Sequence, residues 1–280
     1  MPPTSSQAVS LTVLVPAYEA AAFLRDSLEK LRAFLIESGR SAELLVIDDG
    51  SRDATHDVLE AFARDHDWTG RLQFRFARNA QNRGKGFSVR RGWLLARGEN
   101  IVFTDADLTY PVENLRGVLE ALEGGADVVY GSRMHAESRY VVAPSFFGKL
   151  FTRHFMGRVF NWLARLIVLP GVLDSQAGLK GLRKSAARDL AGRIRLDRFS
   201  FDVELLFVAR RRGFSLRDCP VLFLYRKEPS TVRFVRDSLG MLRDMMLVRW
   251  RGFRGVYDRD VPGRVLDEIE RGGAPAEASP

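Results

Sequence analysis

Residues 102–111, "VFTDADLTYP", carry an apolar run straight into two carboxylates, Asp105 and Asp107, one residue apart. Like charges set this close repel, and a cation between them removes the penalty. The preceding residues "NIVFT" (100–104) read as a strand, and 112–123 as the helix that follows it. The same rhythm runs outward in both directions. "LTVLV" (11–15), "ELLVI" (43–47), "LQFRFA" (72–77) and "DVVYG" (127–131) read as further strands, with helical patterns over about 20–37, 53–65 and 86–96 between them. This alternation predicts an α/β fold: a mostly parallel, doubly wound sheet with helices on both faces. Ligands of such sheets bind beyond the carboxyl ends of the strands. "LVPAYEA", "VIDDGSRDAT", "FTDADLTYP" and "VYGSR" therefore mark the place to look for chemistry.

The chain has 280 residues, 46% of them apolar, which is enough for a sizeable core. Its formal charge of +8 and pI near 10.0 point to an anionic partner. Nucleic acid is not favoured, because no recognition motif accompanies the charge. The single cysteine, Cys219 in "LRDCPVLFL", makes no internal disulfide, suits a reducing compartment and reads as a packed small hydrophobe. The N-terminus lacks the pattern of a secretory signal, and no stretch approaches the roughly 20 apolar residues of a membrane span. The longest candidate, "LIVLPGVL" (166–173), is broken by Pro170 and Gly171.

Residues 1–9 and 259–280 read as flexible ends, and 10–232 as one catalytic domain. Between Ser138 and Leu173 there is no Asp or Glu, yet the segment holds Arg139, Lys149, Arg153, Arg158 and Arg165, interleaved with aromatic residues. Over 233–258, Val235, Leu239, Leu242, Met246 and Trp250 form a helical stripe flanked by Arg236, Arg243 and Arg254. Both segments have the make-up of amphipathic helices lying in a membrane interface.

In an extended segment, residues i and i+2 point the same way, so Asp105 and Asp107 can serve one hard dication whose shell is completed by phosphate and water. The bland alternative is a strand-to-turn boundary where Asp only shapes the loop. After the second strand, Asp48 or Asp49 can accept the imide N–H of a uracil, while Asp53 reads equally well as a helix cap. Tyr18 can stack on a base, and Glu19 can reach a ribose.

The set "VPAYEA", "DDGSRDAT", "NRGKG", "TDADLTYP" and "GSR", in this order, resembles the family-2 glycosyltransferases of GT-A fold. "DSQAGLKGLRKSAA", "FSFDVELLFVARRRG" and "RDSLGMLRDMMLVR" narrow the resemblance to the dolichyl-phosphate β-glucosyltransferase branch, close kin of the dolichyl-phosphate mannose synthases. The likeness covers residues 10 to about 250. It implies that Pro16, Ala17, Tyr18, Glu19 and one of Asp48 and Asp49 hold the nucleoside. Lys85 would lie near the nucleotide or sugar, beside Asp105, Ala106 and Gln176. Asp105 and Asp107 would hold Mg2+ or Mn2+ and the diphosphate, and Arg133 would face the acceptor phosphate, with Arg139, Lys149, Arg153 and Arg226 in support. "YRKEPST" departs from the family, since Thr231 stands where a Lys is expected. "RGKG" is not a P-loop, lacking the glycine spacing and the Lys-Ser/Thr pair.

The resemblance implies transfer of a hexose, glucose favoured, from a nucleotide sugar to a polyprenyl or dolichyl phosphate with inversion, at the cytoplasmic face of a membrane. GDP-mannose is the alternative donor. A transferase acting on a sugar hydroxyl would need a general base, for which Asp202 is the candidate. A non-catalytic nucleotide-sugar-binding subunit is the remaining alternative.

Overall fold

The computed structural model describes residues 8–68, 70–142, 162–198, 200–225 and 234–272. Strands β1 (Leu11–Ala17), β2 (Ala42–Asp48), β3 (Leu72–Arg78), β4 (Asn100–Phe103) and β5 (Val128–Ser132) lie where the alternation puts them. Between them run α1 (Leu24–Glu37), α2 (Thr55–Asp65), α3 (Lys85–Leu95) and α4 (Asn114–Glu123). The apolar spacing explains the helices. Leu24, Leu28, Leu31 and Leu35 of α1, and Leu115, Val118, Leu119 and Leu122 of α4, are buried along one face of each. All seven residues of β2 are buried, as expected of a central strand covered on both sides. Glu43 within it is tolerated because its carboxylate accepts from Thr12 Oγ1 (2.8 Å), Arg75 Nη1 (2.6 Å) and the Arg97 N–H (3.0 Å).

Beyond β5 come β6 (Arg139–Val142), a helical stretch α5 at 162–167, and β7 (Lys180–Arg183). α6 (Lys184–Arg193), α7 (Phe201–Arg211), β8 (Leu216–Pro220), β9 (Leu222–Tyr225), α8 (Phe234–Phe253) and α9 (Gly263–Glu270) follow. Among the described residues the main sheet has the order β3-β2-β1-β4-β7-β5-β8, with β7 antiparallel to both neighbours and every other pairing parallel. The chain steps outward from β1 to β2 and β3, then returns to β4 on the other side of β1. That reversal opens a crevice at the carboxyl ends of β1 and β4. Separately, β6 and β9 pair as a two-stranded parallel ribbon.

Three expectations change, the first being that the segment 138–173, read as helical, opens with strand β6 and among its described residues is helical at 162–167. The strand β7, "KGLR", was not among the predicted strands; it inserts between β4 and β5, so these two do not pair. The end beyond 259 is not simply a flexible tail, because α9 docks on the body. Val261 and Leu266 pack so closely on Gly192 that a Cβ there would lie 2.3 and 2.8 Å from them, and Ile269 is buried. Residues 1–7 and 273–280 lie outside the described residues.

Candidate active site

The loops after β1 and β2 are stitched together by side chains that the sequence put at strand ends. Pro16 and Ala17 complete β1, Tyr18 is exposed, and Glu19 adopts φ 51°, a region few non-glycine residues visit. Hydrogen bonds hold it there. The Glu19 N–H donates to Ser51 Oγ (3.0 Å), its Oε1 accepts from the Arg52 N–H (3.1 Å), and the Ala20 N–H donates to Thr55 Oγ1 (2.8 Å). Asp53 accepts from the Thr55 N–H (3.0 Å) and from the Ala21 N–H (3.1 Å), so it shapes the start of α2 and ties the two loops.

Asp48 and Asp49 differ sharply. Each Asp49 oxygen accepts twice: Oδ1 from Asn79 Nδ2 (2.6 Å) and the Arg83 N–H (3.0 Å), Oδ2 from Asn82 Nδ2 (3.0 Å) and the Gly84 N–H (2.7 Å). Asp49 thus organises residues 79–84. Asp48 Oδ1 accepts the Ser51 N–H (2.9 Å), while its Oδ2 accepts no hydrogen bond and lies 3.3 Å from Arg78 Nε and 3.6 Å from His56 Nδ1.

The glycines of "NRGKG" are required by packing. A Cβ on Gly84 would lie 2.4 Å from the Asp197 carbonyl oxygen, and one on Gly86 2.6 Å from Phe201 Cβ. The Gly86 and Phe87 N–H groups at the start of α3 both donate to that Asp197 carbonyl. The helix start is therefore spent on the protein and differs from a phosphate loop. What α3 does present is Lys85, whose Nζ lies 2.5 Å from Asp105 Oδ1. Burial works against the charge on Lys85, but Asp105, then Asp202 and Asp107, outweigh it and raise its pKa.

Asp105 and Asp107 are not alternate residues of an extended strand. β4 ends at Phe103, Leu108 has φ 47°, its N–H donates to the Asp105 carbonyl (3.1 Å), and the Thr109 N–H donates to Asp107 Oδ1 (2.9 Å). A turn, rather than the strand pleat, brings the carboxylates together. Burial, followed by the charge of Asp105, raises the Asp107 pKa. Ala106 is buried between them in sequence.

At the end of β5, Arg133 is gripped by buried Asp174: Nε to Oδ2 at 2.7 Å, Nη2 to Oδ1 at 2.9 Å, and its own N–H to Oδ2 at 3.1 Å. Asp174 Oδ1 also accepts the N–H of half-buried Gln176 (3.1 Å). The Tyr140 hydroxyl donates to the Arg133 carbonyl, and Arg139 on β6 is exposed. Lys149, Arg153 and Arg226 lie outside the described residues. Behind Lys85, fully buried Lys180 donates to Asp202 Oδ1 (2.5 Å) and to the Ala177 carbonyl (2.7 Å). Burial lowers the Lys180 pKa despite Asp202. Glu204, two residues on in α7, accepts from the Tyr257 hydroxyl (2.5 Å) and from the Arg195 (2.9 Å) and Leu196 (2.7 Å) N–H groups.

The crevice thus gathers paired carboxylates, a lysine and two stitched loops at the switch point of the sheet. Residues 12–190 match Glycosyl transferase family 2. The chain belongs to that family. The dolichyl-phosphate beta-glucosyltransferase of Drosophila melanogaster is 34% identical over 227 residues, covering 77% of this chain and 67% of the relative. The enzyme of that name from Saccharomyces cerevisiae is 26% identical over 261 residues (89% and 77%), and the one from Homo sapiens 28% over 258 residues (88% and 77%). Among solved structures, glucosyl-3-phosphoglycerate synthase from Mycobacterium tuberculosis with UDP superposes with a TM-score of 0.58 at 18% identity, covering 91% of this chain and 82% of that one. Mannosyltransferase PcManGT from Pyrobaculum calidifontis with GDP-Man and Mn2+ gives 0.53 at 18% (94% and 68%). These likenesses establish the GT-A fold for this family 2 transferase.

Several residues that build the site went unread in the sequence. Asn79 carries no motif and Asn82 only opens "NRGKG"; their role as donors to Asp49 is visible only in the structure. Asp174 sits in "DSQAGLKG" with nothing local to announce that it is the partner of Arg133. Lys180, in the same stretch, is the buried counter-charge of Asp202.

Proposed function

We propose that this family 2 transferase moves glucose from UDP-glucose to a dolichyl or other polyprenyl phosphate at a membrane surface, with inversion, giving a β-linked lipid phosphosugar. The observation that carries the reading is the turn at the end of β4 that presents Asp105 and Asp107 beside Lys85, in a chain whose relatives bear the name dolichyl-phosphate beta-glucosyltransferase.

The donor reading rests on the loops after β1 and β2. Pro16, Ala17, Tyr18 and Glu19 would flank the nucleoside. We assign the base contact to Asp48, because its Oδ2 accepts no hydrogen bond whereas each oxygen of Asp49 already accepts two. Lys85 would meet the diphosphate, and Ala106 and Gln176 border the sugar. Among the described residues no three His, Cys, Asp or Glu side chains cluster to hold a metal. Two carboxylates with phosphate and water completing the shell fit Mg2+ or Mn2+ nonetheless. Such an ion on Asp105 and Asp107 would supply Lewis-acid stabilisation of the departing diphosphate.

A lipid phosphate is already an anion at neutral pH, so no side chain has to remove a proton. The difficulty is bringing two anionic reactants to one carbon, and arginine suits that task through its forked donors. Arg133, aimed by Asp174, and Arg139 would receive the acceptor phosphate. Lys149, Arg153 and Arg226 complete the proposed set. Since β6 and β9 run parallel, Val142 and Tyr225 lie at the same end of the ribbon. Asp202 is tied to Lys180, which favours a phosphate acceptor over a hydroxyl that needs a base.

No helix among the described residues is long and apolar enough to cross a membrane. The exposed apolar side chains of α8, Leu242, Met246, Trp250 and Phe253, and Trp162 and Leu166 of α5 support attachment in the plane of the interface. Lone Cys219, buried, with its pKa pushed up to about 11, suits the cytoplasmic face.

Labelled UDP-glucose or GDP-mannose, Mg2+ and dolichyl phosphate in vesicles test the reading. UDP-glucose should yield an organic-extractable, acid-labile product, and Asp107→Ala should abolish it without altering thermal unfolding. Label confined to water-soluble glycan would sink the lipid acceptor, preference for GDP-mannose would replace the sugar, and binding without turnover would remove the catalytic reading.

A further inference from the structure

The loop 79–84 that Asp49 organises is also held from behind, by α9 and the turn that follows it. Arg91, two turns along α3 from Lys85, is almost fully buried. Its Nη1 donates to the Arg78 carbonyl (2.7 Å) and to Asn79 Oδ1 (2.9 Å), and its Nε donates to the carbonyl of Glu270, the last residue of α9 (3.0 Å). Asn79 passes the constraint on. Its Nδ2 donates to Asp49 Oδ1 (2.6 Å) and Ser88 Oγ (2.9 Å), and Asp49 in turn takes the Arg83 and Gly84 N–H groups. A second strand of contact is direct: the Ala80 N–H donates to the Gly272 carbonyl (3.4 Å), and Arg83 lies 3.9 Å from Glu268. Gly50 closes the other side, since a Cβ there would lie 2.7 Å from the Gln81 backbone.

α9 has its own anchor for this task. Val261 and Leu266 lie on Gly192, and Arg193 Nη1 donates to the carbonyls of Tyr257 (2.8 Å) and Arg259 (2.6 Å). The final turn is fitted to Arg91: Gly272 has φ 75°, and a Cβ on it would lie 2.5 Å from Arg91 Nη1. Three acceptors around one guanidinium need its planar fork of donors, which an ammonium does not reproduce.

We propose that α9 and Arg91 form a brace that holds loop 79–84 in the shape the donor nucleotide requires, making Arg91 a positioning residue for donor binding. The link to the donor rests on the donor-site reading above; the brace itself does not. An untethered loop must be ordered at the moment of binding, and that cost appears as weaker donor affinity while turnover of the bound complex is spared.

The test uses the full chain with Gly272→Val, which drives the last turn off Arg91, and separately Arg91→Lys, which keeps the charge and loses the fork. Amide hydrogen exchange at Arg83 and Gly84, titration with UDP, and steady-state kinetics are read on each. The expected result is exchange faster by about tenfold, with Kd for UDP and KM for UDP-glucose raised by about tenfold, the worth of one charge-assisted hydrogen bond. kcat and the acceptor KM should stay within about twofold. Unchanged exchange in variants of native melting temperature overturns the brace. Faster exchange with unchanged UDP affinity overturns its link to the donor. Loss of kcat and both affinities in step with the melting temperature reduces Arg91 to a stability role and also overturns it. If the unmodified chain binds no UDP, the donor-site reading fails, and exchange, which needs no nucleotide, decides the brace alone.

Discussion

Asp105 rests its carboxylate on the backbone of Gly178: a Cβ at 178 would lie 1.8 Å from Asp105 Oδ2. The glycine of "QAGLK" is therefore the floor on which one of the two paired acids sits. Gly178→Ala should turn Asp105 away while leaving the sheet intact. A misplacement of about 1 Å at a reacting centre can cost roughly 100-fold in rate, and overpacking costs about 1–3 kcal/mol in stability. Turnover and calorimetric melting measured together check this; turnover within twofold of the unmodified chain contradicts it.

Lys180 and Asp202 present a different balance. Both are buried and joined at 2.5 Å, so removing one strands the other in a dry interior. Lys180→Met should destabilise the chain by about 3–5 kcal/mol, and the double variant Lys180→Met with Asp202→Leu should recover most of that loss. Urea unfolding of the two single variants and the double variant forms the cycle. A double-variant cost equal to the sum of the two single-variant costs would show the pair to be uncoupled.

The Arg133–Asp174 pair predicts a pH dependence of stability. Burial of Asp174 opposes its charge, but Arg133 and the Arg133 and Gln176 N–H groups outweigh burial and hold its pKa below the ordinary value of 3.8. The unfolded chain then binds the proton more readily than the folded one. Stability from this group is present above the unfolded value and is lost as pH falls through the folded value. Asp174→Asn should cost about 2–3 kcal/mol near neutral pH, less than a wholly buried pair because Arg133 keeps some solvent contact. Unfolding midpoints of Asp174→Asn and the unmodified chain should differ by a constant amount above about pH 5 and converge below the ordinary carboxylate range. A gap that persists unchanged into acid would contradict the assignment.

These pairs mark where local reading of the chain reaches its end. β1 to β5 and α1 to α4 were legible because each repeats one period of apolar residues, and strand ends followed from topology. "KGLR" was not legible as a buried strand, since its lysine is made tolerable by an acid 22 residues away. Arg133 was legible as a basic residue after a strand, but its partner lies 41 residues on. The two acids of "TDADL" were legible as a pair, while the positive φ of Leu108 that turns them together has no glycine to announce it. α9 was misread because half of "GRVLDEIE" is charged; its apolar Leu266 reaches Gly192, and the carbonyl of Glu270 meets Arg91.

The outward face of α8 tests the proposed membrane docking. Met245 and Val248 face the body, and Gly252 is covered by Phe207, whereas Leu242, Met246, Trp250 and Phe253 point outward, the last 89% exposed. Arg254 lies over the Trp250 ring at 5.8 Å, placing a cation beside the aromatic edge. Burying two large apolar side chains is worth about 1.5–3 kcal/mol each. Met246→Asp combined with Trp250→Asp should therefore weaken binding to vesicles containing anionic lipid by about 100-fold or more. Folding should be unaffected, because neither side chain contributes to the core. Turnover should fall with dolichyl phosphate in vesicles and survive with a short, water-soluble prenyl phosphate, since only the former requires the surface. Cosedimentation and the two acceptor assays decide the matter: vesicle binding unchanged by both aspartates would place the membrane contact elsewhere on the chain.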